Sequence, residues 1–134
     1  MAQAVTEVAG SSGWFERGFV TYSNLAKQQM LGVCSDTLTQ QGAVSEAVVR
    51  EMVAGALTRS AGDVALAVSG IAGPGGGTPE KPVGTVWFAW GIKQGAIQAK
   101  CYQLPGDRVK VRALSIEIAL QGVLELLANY SMLG

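Results

Sequence analysis

Two short apolar runs, Val64–Val68 and Val86–Trp90, are joined by a segment dense in glycine and proline. This layout limits the fold more than any other feature of the sequence. Short apolar runs bounded by turn residues fit strands buried on both faces. Such strands need helices on either side of the sheet. The connecting segment holds Gly70, Gly73, Gly75 and Gly76, with Pro74, Pro79 and Pro82 among them. A long loop on a rigid sheet edge is a common place for a binding site. Glycine lets the backbone approach a ligand closely, and exposed N–H groups can face an anion.

The chain has 134 residues, which suits one domain, 1–134, with its own core. Hydrophobic residues make up 49% and charged residues 15%, which excludes a disordered chain. Ten basic residues balance ten acidic ones. That leaves no electrostatic footprint for a nucleic acid or an anionic membrane as partner. No apolar run approaches the roughly 20 residues that span a bilayer. The start, Met1 to Glu7, has neither the basic region nor the apolar core of a secretory signal, so the cytoplasm is the expected location. Cys34 and Cys101 belong to no C-x-x-C pattern. Buried free thiols are favoured over a disulfide or a metal site. The sequence contains no histidine. A Ser-His-Asp triad, a Cys–His pair and a histidine zinc site are therefore excluded. Hydrolytic chemistry here needs another base, and lysine is the natural substitute.

Along the chain, Ala2 to Val8 reads as a helix stopped by Gly10-Ser11-Ser12-Gly13. Phe19 to Tyr22 reads as a short strand. Ser23 or Asn24 then caps a helix that runs to Leu31 and stops at Gly32. Ser45 caps a further helix whose apolar face is Val48, Val49, Met52, Val53 and Ala56. After Val64–Val68 come strands over 86–92 and 96–104, with Lys93-Gln94-Gly95 as the hairpin turn. Pro105-Gly106-Asp107 opens a last helix from Arg108 to Leu127, buried through Val111, Leu114, Ile118, Val123 and Leu127. This order predicts an α/β sandwich with a mixed sheet flanked by helices. Trp14, Trp87 and Trp90 read as core residues.

The glycine loop fits neither common phosphate motif. A Walker loop needs Gly-Lys-Ser/Thr opening a helix, and Gly76-Gly77-Thr78-Pro79 has no such lysine. A dinucleotide fingerprint also needs a helix, which Thr78-Pro79-Glu80-Lys81-Pro82 cannot start. A binding loop is favoured over a tight connector. Lys27 falls in the first turn of its helix, where the dipole disfavours an ammonium. Spacing alone favours a solvated lysine there; partial burial would lower its pKa toward that of a usable base. Thr21 and Tyr22 precede that helix at a strand end, where side chains commonly line a cleft. An ordinary half-buried aromatic is the other reading of Tyr22. Arg108 and Arg112 share one helix face at an N-terminus. A phosphate clamp and two solvated arginines stand equal on that spacing. Ser69 reads either as a substrate-side hydroxyl or as a turn cap.

Several segments together resemble the CinA C-terminal domain family, the nicotinamide mononucleotide deamidases. They are Ala9-Gly10-Ser11-Ser12, Gly18 to Lys27, Leu31-Gly32-Val33, Gly42-Ala43-Val44-Ser45-Glu46, Ser69 to Trp87 and Pro105-Gly106-Asp107-Arg108. The resemblance implies hydrolysis of a nicotinamide nucleotide carboxamide to the acid, with release of ammonia. It implies a serine nucleophile activated by a lysine, without metal or cofactor, and a dimeric assembly. Lys27 matches the family lysine, Tyr22 the tyrosine of the same signature, and Arg108 the arginine after Gly-Asp. Gly70 to Gly77 would line the nucleotide pocket. The family motif resembling Thr-Ala-Glu-Ser-Cys-Thr-Gly-Gly, which supplies the serine, does not occur in this sequence. Against the family pattern, a leading helix, the first strand and the nucleophile are expected to be missing. Low activity and self-association beyond dimers are expected with them.

Overall fold

The computed structural model describes residues 1–133, with side chains over residues 1–130. Its centre is a sheet of three strands, β1 (Val64–Gly70), β2 (Thr85–Ile92) and β3 (Ile97–Gln103), in the order β1-β2-β3. Both pairings are antiparallel. Because successive side chains alternate between faces, each strand feeds two cores. Ala65, Ala67, Trp87, Ala89, Ile97 and Ala99 pack to one side. Leu66, Val68, Val86, Phe88, Trp90 and Tyr102 pack to the other.

Helix α4 (Glu46–Thr58) covers the first face, and α2 (Asn24–Leu31) and α3 (Ser35–Gln41) lean on it. Helix α5 (Arg108–Leu133) covers the second. The expected layering of helices about a sheet is therefore present. The expected mixed sheet is not, because the sheet is antiparallel throughout among the described residues. Phe19 to Tyr22, expected as a strand, joins no ladder. It keeps a strand's alternation of burial: Phe19 and Thr21 turn inward, while Val20 and Tyr22 are exposed. Without a neighbouring edge to bond, alternation alone makes no strand.

Side-chain caps set the helix starts. The Ser23 hydroxyl accepts from the Ala26 N–H, and the Ser45 hydroxyl accepts from the Val48 N–H. The Asp107 carboxylate accepts from the Lys110 N–H at the start of α5. Gly32, at φ 69°, ends α2 in the left-handed conformation that glycine tolerates best. Helix α1 (Ala2–Thr6) is shorter than expected. Helix α3 was not anticipated, since Leu38 is its one buried residue and no periodic face marks it. On α4, Leu57 is buried with Val48, Val49, Met52 and Val53, while Ala56 is half-buried.

Helix α5 spans 26 residues, or about 39 Å at the usual rise. The eight residues of β2 cover only about 26 Å. The helix therefore overhangs the sheet, so Leu127 is exposed rather than buried, as are Leu124 and Tyr130. Trp90 is buried beneath α5 and donates its indole N–H to the Ala119 carbonyl at 2.8 Å. Trp14 is exposed, contrary to expectation, because it follows the turn at Ser11–Gly13 outside both helix–sheet layers. Cys34 and Cys101 are free thiols, but exposed ones. Cys34 stands at the start of α3, and Cys101 lies on the outer strand β3.

Candidate active site

Lys27 is 7% exposed. Its Nζ donates to the Thr21 carbonyl at 2.7 Å. Burial pushes its ammonium below the usual lysine range, the direction a general base requires. Among the described residues the ion pairs are Arg17–Glu16 and Arg50–Glu46, so no carboxylate lies within 4.0 Å of Lys27. Close helix packing creates this site. A Cβ on Gly55 of α4 would overlap the Leu31 carbonyl, so only glycine lets α2 approach so near. Arg59 also donates to the Gln29 carbonyl at 3.2 Å, satisfying an orphan acceptor near the end of α2.

The glycine loop is tied down at several points. The Ser69 hydroxyl donates to the Ala43 carbonyl at 2.8 Å. Arg108 Nη1 donates to the Gly73 carbonyl at 3.0 Å. Gly73 has φ 85°, which disfavours any other residue there. The Thr78 N–H donates to the Lys81 carbonyl at 2.9 Å, and the Lys81 N–H donates to Thr78 Oγ1 at 3.0 Å. Lys81 Nζ then donates to the Gln41 carbonyl, the last of α3, at 2.6 Å. Between these ties, residues 74–80 are exposed. A shallow cavity of about 380 Å³, bounded by Ala72, Pro74, Val83 and Arg108, opens beside the start of α5. Free N–H groups and the helix dipole favour an anion at such a place. A second cavity, about 660 Å³, lies under the α5 overhang beside Trp90 and Tyr102, and none of the residues singled out for chemistry lines it.

The buried lysine and the tied glycine loop lie on segments with wider counterparts. The sequence matches the CinA C-terminal domain over residues 1–127. The chain belongs to this family. It is 55% identical over 124 residues to the nicotinamide-nucleotide amidohydrolase PncC of Enterobacter agglomerans, covering 92% of this chain and 76% of that one. It is equally identical over 123 residues to the protein of that name from Escherichia coli K12, covering 90% of this chain and 73% of that one. Among solved structures it is similar to the competence/damage inducible protein CihA of Agrobacterium tumefaciens. That likeness has a TM-score of 0.91 and 46% identity, covering 93% of this chain and 76% of the other.

Within this CinA C-terminal domain, the residues singled out from sequence fall into separate groups. Thr21 and Lys27 meet, but Thr21 contributes its carbonyl rather than its hydroxyl. Tyr22 is 86% exposed, and its hydroxyl bonds to no other described residue. Ser69, Gly70, Gly73, Gly75 and Gly76 follow one another from the end of β1 into the loop. Arg108 joins that loop, whereas Arg112 is exposed and its side chain makes no hydrogen bond or ion pair among the described residues. No hydrogen bond among the described residues links Lys27 to the loop. The sequence reading missed Lys81, whose signal was a lone cation between Pro79 and Pro82 at the loop's closing turn. No helix among the described residues is long and apolar enough to cross a membrane.

Proposed function

We propose that this chain carries the lysine half of an amidohydrolase site acting on nicotinamide mononucleotide. The reading is carried by one observation: the buried Lys27 Nζ, whose pKa burial lowers, in a chain 55% identical to relatives named nicotinamide-nucleotide amidohydrolase. In its neutral form Lys27 takes the proton of a serine hydroxyl as that oxygen attacks the carboxamide carbon. The same amine returns the proton to the departing nitrogen, which leaves as ammonia. Water then cleaves the ester and yields the nicotinic acid nucleotide. Tyr22 helps orient the hydroxyl. Thr21, Ser69, the loop from Gly70 to Gly76, Arg108 and Arg112 take the nucleotide. The working form is a cytoplasmic homodimer in pyridine nucleotide recycling.

The serine is proposed to come from outside these 134 residues. The sequence contains no Glu-Ser-Cys-Thr-Gly-Gly stretch. The two serines near the site are engaged in local structure, Ser69 with the Ala43 carbonyl and Ser23 with the Ala26 N–H. That engagement also favours a second reading, a module that binds the nucleotide without turning it over.

Ammonia release from nicotinamide mononucleotide tests both. The 134-residue polypeptide is expected to show negligible turnover. The same polypeptide extended at its start by a segment bearing Glu-Ser-Cys-Thr-Gly-Gly is expected to hydrolyse the carboxamide, and Lys27→Ala to abolish that. Normal turnover by the unextended chain would overturn the assignment of the serine. Turnover retained in Lys27→Ala would overturn the role of the lysine. An inactive extended chain that still binds the nucleotide would favour the binding module.

A further inference from the structure

We infer that Lys81 is a positioning residue for the glycine loop, holding it in the shape that accepts a phosphorylated nucleotide. The choice of ligand rests on the proposed function; the tie itself does not. Lys81 acts twice. Its main chain closes the turn with Thr78 through two hydrogen bonds, at 2.9 and 3.0 Å. Its side chain crosses 40 positions of sequence to reach the Gln41 carbonyl at 2.6 Å. That carbonyl ends α3, where unsatisfied acceptors favour a cation. A Cβ on Gly42 would come within 3.2 Å of the same ammonium, so the site beside it is narrow.

At the start of the loop Arg108 grips the Gly73 carbonyl. Two cations thus bracket the exposed residues 74–77, each anchored on a main-chain oxygen. Neither has a carboxylate within 4.0 Å among the described residues. Their charge therefore remains available to an anion, and the anchoring keeps the chain between them from spreading. Methionine at position 81 keeps the length of the side chain but removes both charge and donor. Arginine keeps both.

The test uses the 134-residue chain with two readouts. The first is hydrogen exchange of the Thr78 amide, which donates to the Lys81 carbonyl at 2.9 Å. Lys81→Met is expected to speed it about tenfold, the factor set by losing one charge-assisted hydrogen bond, while Lys81→Arg stays close to the unchanged protein. Equal exchange in all three overturns the tie. The second is calorimetric titration with nicotinamide mononucleotide and with its phosphate-free nucleoside. Lys81→Met is expected to weaken the nucleotide about tenfold and the nucleoside much less, with recovery in Lys81→Arg. Equal weakening of both ligands, or none, overturns the phosphate-directed role. Failure of the unchanged protein to bind the nucleotide would count against the proposed function, and the exchange result would still decide on Lys81.

Discussion

Gly55 of α4 lies directly beneath the main-chain carbonyl of Leu31, with no room between them for a methyl group. The helix that carries Lys27 therefore rests on backbone rather than on a side chain. Lys27 lies one turn before this contact on the same helix. Gly55→Ala is expected to push α2 outward and to cost about 2 kcal/mol, in the range of overpacked cores. Urea unfolding measures it. A variant as stable as the parent would show that α2 is free to shift without loss.

The lysine leaves a signature in the pH dependence of stability. Its folded-state pKa is lowered from the ordinary 10.5 by desolvation. Between the lowered value and 10.5 the unfolded chain keeps the proton while the folded chain releases it. Stability therefore rises with pH across that window, and the cost of the buried ammonium is fully present below it. Unfolding midpoints taken from neutral pH toward 10.5 should climb more steeply in the parent than in Lys27→Met. Parallel profiles would mean that the lysine is not desolvated.

Arg108 and Arg112 looked equivalent in the sequence, and the structure separates them. Arg108 grips Gly73, whereas Arg112 is exposed. Arg108→Ala is expected to weaken nicotinamide mononucleotide binding about tenfold, and Arg112→Ala only about two- to threefold. Calorimetric titration of both variants gives the ratio. Equal losses would remove the special role of Arg108.

Strand β1 runs from Val64 to Gly70 without a charge and pairs only with β2 among the described residues. Unpaired edges of this kind invite pairing with other chains. Exposed Val20 and Tyr22 add apolar surface. Sedimentation velocity should show association that grows with protein concentration, and Val20→Lys, at a position 84% exposed, should reduce it. A monodisperse monomer across the concentration series would contradict this.

Much of the fold was legible because β1 and β2 are apolar runs bounded by turn residues and the caps are local. Ser23, Gly32, Ser45 and Asp107 act through neighbours within a few residues, so their spacing predicts them. Helix α3 was not legible, because one buried leucine makes no periodicity. Phe19 to Tyr22 was expected as a strand and joins no ladder, because pairing depends on a partner that the segment itself cannot specify. In the candidate site, the glycine loop announced itself by composition. The burial of Lys27 did not, since the helix that carries it packs on Gly55, 28 positions away from the lysine. The tie from Lys81 to Gln41 is longer still, and no local pattern marks it.

The two-sided alternation of β2 has an effect on what variation this domain can tolerate. Sliding that strand by one residue would swing Phe88 and Trp90 toward α4 and leave Trp87 and Ala89 facing α5. Both cores would be lost together, so the register is locked from two directions. Variation at exposed loop positions clear of the ties at Gly73, Arg108 and Lys81 can therefore retune recognition without unsettling the platform that carries it.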